Sequence, residues 1–156
     1  EANRQESRAA KPRMCERKNL PQKGLPRGHV LLPSFKSQKR FEIEICQTNQ
    51  QRQIGMMCRE EIGENEGMLF IFQDMRRRSF WMKNTLIPLD MIFADGKGQV
   101  VNVHSNAVPH DETPIPSGSP AQYVLEINGG LARQLGIDVG SEMMHPAIRG
   151  AAWPCE

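Results

Sequence analysis

The sequence predicts an α+β fold, a compact β-rich barrel or sandwich of five to seven short strands with two short helices, and three observations carry that prediction. Apolar and polar residues alternate over short stretches, glycines and prolines punctuate the chain, and no strand–helix–strand alternation runs along it.

Residues 1–28 are polar and charged, broken by Pro12, Pro21, Gly24, Pro26 and Gly28, and read as arm or linker. The first strand is expected at Phe41–Cys46, where Phe41, Ile43 and Ile45 face one way and Glu42 and Glu44 the other. Thr48 or Asn49 then caps a helix over 50–57, with Ile54 and Met57 on its inner face. Met68–Phe72 is a continuous apolar run and reads as a buried strand. Arg76, Arg77 and Arg78 follow it at the tip of a turn. Leu89–Ala94 and Gln99–Ser105 flank Asp95-Gly96-Lys97-Gly98, a hairpin whose glycines supply the positive φ of a tight reversal. Pro109, Pro114, Pro116 and Pro120 mark a surface loop. Gln122–Ile127 returns to strand alternation, after which Asn128 caps a two-turn helix that Gly136 closes.

Charge divides the chain. Residues 1–40 hold eleven Lys and Arg against three acidic residues, and residues 41–156 hold nine against fifteen. The expected organisation is a basic, largely disordered arm over 1–40, a single globular domain over 41–144 and a tail over 145–156. Such an arm is attracted to anionic surfaces, but its only aromatic residue is Phe35, which argues against nucleic acid as a partner. No stretch of about 18 apolar residues occurs, which excludes a membrane-spanning helix. Of the four cysteines, Cys15 and Cys155 could pair if the arm folds back, Cys46 and Cys58 flank the first helix and could also meet, and free thiols are the third possibility.

The chemistry concentrates in Phe80-Trp81-Met82-Lys83-Asn84-Thr85-Leu86-Ile87-Pro88-Leu89-Asp90, where large apolar side chains interleave with polar ones. A buried Lys, Asn or Asp is costly without partners, so these groups are either satisfied within the fold or held open for a ligand. On the first alternative Asn84 and Thr85 bond a turn and Asp90 pairs with Lys83 or Arg59. On the second Trp81 walls a cleft anchored by Lys83, Asn84, Thr85 and Asp90, with Arg59 and Glu126 completing the recognition surface for a small molecule, a glycan or a peptide. As an enzyme, the chain would be a hydrolase or transferase on a cell-envelope glycan with Asp90 and Glu126 as acid and base. His104 and His110 are weaker candidates for such a role. No nucleophile elbow, phosphate loop or dinucleotide pattern is present. Histidines without i, i+4 spacing and cysteines without C-x-x-C give no zinc site, and Met56-Met57-Cys58 and Met143-Met144-His145 are faint Cu(I) signals, so no metal or cofactor is expected.

Several motifs carry a family resemblance over about residues 41–144. They are Ile54-Gly55-Met56-Met57-Cys58-Arg59-Glu60, Gly67-Met68-Leu69-Phe70-Ile71-Phe72, Phe80-Trp81-Met82-Lys83-Asn84-Thr85 with Ile87-Pro88-Leu89-Asp90, and Tyr123-Val124-Leu125-Glu126 before Gly130. Together they resemble the uncharacterised bacterial and archaeal family numbered 192 among the domains of unknown function. That resemblance implies no catalytic residue. It implies export to the periplasm or the exterior for many members, with the cytoplasm as the alternative. The function expected is therefore a small binding or accessory domain rather than an enzyme.

Overall fold

The computed structural model describes residues 11–16, 20–35 and 37–148. Eight strands form a six-stranded and a two-stranded sheet, with two short helices. The strands are β1 (Arg27–Pro33), β2 (Gln38–Cys46), β3 (Glu66–Arg76), β4 (Ser79–Phe80), β5 (Leu89–Ala94), β6 (Val100–Ala107), β7 (Ile115–Pro116) and β8 (Ala121–Asn128). The helices are α1 (Asn49–Ile54) and α2 (Leu131–Leu135), and Arg13–Glu16 forms one 3₁₀ turn. The large sheet has the order β1-β2-β3-β8-β5-β6 and does not close into a barrel, so the sandwich is the architecture realised.

Four of its five pairings are antiparallel, two of them between strands consecutive in the chain, β1–β2 and β5–β6, and two between β8 and the earlier strands β3 and β5. The exception is β2 with β3, which run parallel and are joined through α1, a strand–helix–strand unit that the alternation pattern does not reveal. The β5–β6 turn is closed by Asp95 and Gln99, and its positive φ falls on Gly98 alone.

Both faces of the sheet are buried. Val30, Phe41, Ile43, Leu69, Ile92, Leu125 and Ile127 lie in one core, with Leu131 and Ala132 of α2. Met68, Phe70, Met91, Phe93 and Val124 lie in the other, with Met82 and Leu89. This explains why β8 reads buried at every position from Tyr123 to Ile127 rather than alternating.

The ordered fold begins earlier and ends later than 41–144. β1 lies inside the stretch read as arm, where Val30 and Leu32 are fully buried against β2. On its other side Leu31 exchanges backbone hydrogen bonds with Met144, while Met143 donates to Gly98. Residues 142–144 thus strap the first strand to the β5–β6 turn. Past 144, His145 and Ile148 are buried and Ala147 accepts a hydrogen bond from the Tyr123 hydroxyl, so the tail assignment of 145–148 is corrected as well.

Local chemistry sets the helix ends. Thr48 caps α1, and Gln51 completes a capping box by accepting from Thr48 N–H. The helix ends at Gly55, six residues in, with Ile54 half-buried and no buried side chain of its own, so the expected inner face is absent. α2 starts at Gly130, not at an Asn128 cap. The Asn128 amide instead donates to Ile62 O at 2.8 Å. Gly136 closes α2 in the left-handed conformation, as the sequence predicts.

One disulfide, Cys15–Cys58, ties the segment before β1 to the end of the α1 loop across 43 residues. Neither pairing drawn from the sequence forms: Cys46 is a buried free thiol, and Cys155 lies outside the described residues.

Candidate functional site

A cavity of about 310 Å³ opens between α1 with its following loop and the Ser79–Thr85 segment. Phe70, Phe72, Phe80 and Met56 form its apolar walls, Trp81 and Lys83 line one side, Arg52 the other, and Glu126 sits within it. Phe80 organises the walls: it packs edge-on against Phe70 at 5.2 Å, Phe93 at 5.8 Å and Phe72 at 6.2 Å between ring centroids.

Gly55 keeps the cavity open. A Cβ there would stand 3.0 Å from the Phe70 ring, and its φ of 49° is one that side chains rarely adopt, so this wall admits glycine and little else. The facing loop is held by a second constraint. Cys58 and Asn84 both have positive φ, and Cys58 N–H donates to Asn84 O at 2.9 Å. The Thr85 hydroxyl donates to Lys83 O, its N–H to Met82 O, and its carbonyl accepts from His110 N–H. Asn84 therefore serves the loop through its backbone, and Thr85 does so while also lining the cavity.

Glu126 is the unusual group. It is 4% exposed, and burial pushes its carboxyl up to about 8. Among the described residues nothing bonds or neutralises it, so it is a protonated O–H donor at neutral pH. Trp81 is 47% exposed with Lys83 Nζ 5.1 Å from its ring centroid. Arg52 is committed to the scaffold, donating to Gln47 O, Ile71 O and Asn49 Oδ1 while stacking on Phe72.

Of the seven side chains expected to form a site, Trp81, Lys83, Thr85 and Glu126 meet at this cavity. The other three do not. Arg59 makes a two-pronged ion pair with Glu44 and donates to Gln22 O, away from the aromatic walls. Asp90 is fully buried, but its partners are neither Lys83 nor Arg59. Its carboxylate accepts from the N–H groups of Asn106 (2.9 Å), Gly130 (2.9 Å) and Ala132 (2.8 Å), and so caps α2. Across the β5–β8 pair Asp90 stands opposite Ile127, and Glu126 opposite Met91, which puts the two carboxyls on opposite faces of the sheet. An acid and base must flank one bond, so Asp90 and Glu126 cannot serve as that pair.

The sequence reading missed Arg52, Met56 and the aromatic wall. Phe70, Phe72 and Phe80 were legible as apolar, but their convergence depends on the β4–β7 pairing. Cys58 is oxidised in the disulfide, which removes its thiol from the Met56-Met57-Cys58 set, and among the described residues no group of three or more His, Cys, Asp or Glu could hold a metal ion. Cys46 adds no chemistry: burial, with the nearby Glu126 second, pushes its thiol up to about 12. No helix among the described residues is long and apolar enough to cross a membrane.

An open, doubly covered β-sheet with a small aromatic-walled cavity above one face defines a β-rich α+β domain with a candidate ligand site at that cavity. The chain belongs to the uncharacterised ACR family of domains of unknown function, DUF192, whose model matches residues 32–145. It is similar to a protein of unknown function from Novosphingobium aromaticivorans DSM 12444, at 42% identity over 80% of this chain and 89% of that one, with a TM-score of 0.77. It is also similar to a protein of Sinorhizobium meliloti 1021 proposed to be a transcription regulator, at 35% identity over 79% of this chain and 96% of that one, with a TM-score of 0.75. No curated protein matches it.

Proposed function

We propose that this chain is a binding or accessory domain that takes a ligand in the Trp81 cavity. The observation that carries the reading is a buried Glu126, without a partner among the described residues, lining an aromatic-walled cavity beside a half-exposed Trp81. A carboxyl that lines a cavity without a partner among the described residues keeps its hydrogen-bonding capacity for whatever enters the cavity. Four aromatic side chains around a few polar groups suit a small molecule or the end of a glycan or peptide.

The same reading places the domain in an oxidising compartment, outside the cytoplasm. Its support is the Cys15–Cys58 disulfide, since such bonds are rare where thiols are kept reduced. Thiol labelling of the chain isolated from its own cell tests this. Protection of Cys15 and Cys58 is expected, and labelling of both would overturn it.

For binding, the test is a screen of small molecules, glycans and peptides on the wild-type chain beside Trp81→Ala and Glu126→Gln, each first shown to be folded. Ligands whose affinity falls at least about tenfold in Trp81→Ala are expected. A ligand that binds all three chains equally would place recognition elsewhere.

A further inference from the structure

We propose that the cavity takes a small carboxylate with an apolar body, hydrogen-bonded to Glu126 inside and balanced by Lys83 at the mouth. The inference rests on the binding reading above and names its ligand class.

The carboxyl supplies the first argument. Glu126 is 4% exposed and lines the cavity, and burial holds its proton in place up to about 8. It therefore offers an O–H donor at neutral pH, with no acceptor for it among the described residues. The acceptor that gains most from such a donor is an ionised oxygen, because an O–H to carboxylate bond is charge-assisted.

The second argument is the sign of the surrounding charge. The other ionisable side chains lining the cavity, Arg52 and Lys83, are both cations. Arg52 already donates to two carbonyls and an amide oxygen. Lys83 makes no ion pair among the described residues and is the counter-charge available to a ligand.

The placement of the cations disfavours a ligand of the opposite charge. A ligand ammonium would use the aromatic faces, but two of the four lining rings, Trp81 and Phe72, already carry the chain's own cations. Lys83 lies over Trp81, while Arg78 at 3.6 Å and Arg52 at 4.9 Å from the centroid lie over Phe72. An amine would enter against like charge. About 310 Å³ is also at the small end of ligand cavities, which fits one ring with a short acid arm.

The groups around Glu126 give the pH dependence its sign. In register beside it are Met68 of β3 and Met91 of β5, neither of which titrates. Cys46 of β2 stays a thiol to about 12, the basic side chains lining the cavity are Arg52 of α1 and Lys83 of the facing loop, and Asp90 lies on the other face. His110 and Asp111 meet the facing loop through their backbones. Glu126 is thus the group that changes, and ionising it sets two carboxylates against each other.

The experiment titrates the full chain with phenylacetate, phenethyl alcohol and phenethylamine, following the Trp81 indole N–H by NMR and the affinity by calorimetry. Phenylacetate is expected to bind about tenfold more tightly than either analogue, and to weaken as pH rises through about 8. Glu126→Gln, whose amide still donates, should keep the acid within about threefold, whereas Glu126→Leu should lose about tenfold. Equal or better binding of the amine or alcohol, or affinity that rises with pH, overturns the carboxylate class and leaves the binding reading standing, because Trp81 still responds. Silence of Trp81 to all three probes overturns the class too. The binding reading falls with it only if the broader screen is also empty.

Discussion

The two faces of the β5–β8 pair each bury a carboxyl, and they treat it in opposite ways. On one face Asp90 accepts three backbone N–H bonds, closing the start of α2 and fixing Asn106 of β6. On the other Glu126 is almost as deeply buried and has no partner among the described residues, only a cavity. Burial alone does not separate a structural carboxylate from a site. What separates them is whether the fold has spent the group's hydrogen-bonding capacity.

The sharpest way to break this contrast is to remove each carboxyl in turn. Asp90→Ala leaves three buried N–H groups without an acceptor and should cost about 4 kcal/mol in urea unfolding, with Asp90→Asn intermediate. A cost below about 1 kcal/mol would mean that water or the backbone replaces the carboxylate, and the two faces would no longer differ. Next in size is the tether on the cavity side. Reducing Cys15–Cys58, which closes 43 residues and abuts the Cys58–Asn84 hydrogen bond, should cost roughly 3 kcal/mol. An unchanged thermal midpoint after reduction would show that the bond does not support the cavity wall.

Glu126→Gln is the next prediction, and its signature is a slope. The carboxyl keeps its proton up to about 8 when folded, against an ordinary 4.5. Below 4.5 both states are protonated and the native state holds its full advantage. Between the two values unfolding releases a proton, so stability falls as pH rises, by up to about 1.4 kcal/mol per pH unit. Above about 8 both states are ionised and the loss stops. Urea midpoints measured across that window should decline for the wild type and flatten for Glu126→Gln. Parallel curves would show that Glu126 is already ionised in the folded protein.

How much of this contrast was legible beforehand follows from where each residue's partners lie. β2, the β5–β6 hairpin and β8 announce themselves through alternation or glycine-bearing turns, which are local signals. β1 does not, because Val30, Leu31 and Leu32 sit in a basic stretch among glycines and prolines, and order there comes from pairing with β2 and with Met144 at the far end of the domain. Trp81, Lys83, Thr85 and Glu126 were legible as polar or aromatic residues out of place in apolar runs. Asp90 stood out for the same reason and was misread, since its partners are backbone N–H groups of residues 106, 130 and 132, which leave no mark in the side chains. Arg52 was missed because the helix was given Ile54 and Met57 as its inner face, and the Cys15–Cys58 pairing required knowing that the segment before β1 returns to the α1 loop.

The smallest expected effect is the most discriminating. Trp81 is the one large apolar side chain of its motif that is exposed: Met82, Leu86, Ile87 and Leu89 are all buried, and Phe80 is held by three other rings. Cutting it to alanine removes an aromatic surface already half in water and leaves both cores intact, so the stability change should stay within about 0.5 kcal/mol. Met82→Ala, one residue on but fully buried, should cost about 3 kcal/mol. If urea unfolding instead shows the two variants equally destabilised, Trp81 is part of the scaffold, and the cavity loses its recognition wall. If they differ as expected, Trp81 is not needed for folding, which is what the proposed binding role requires of it.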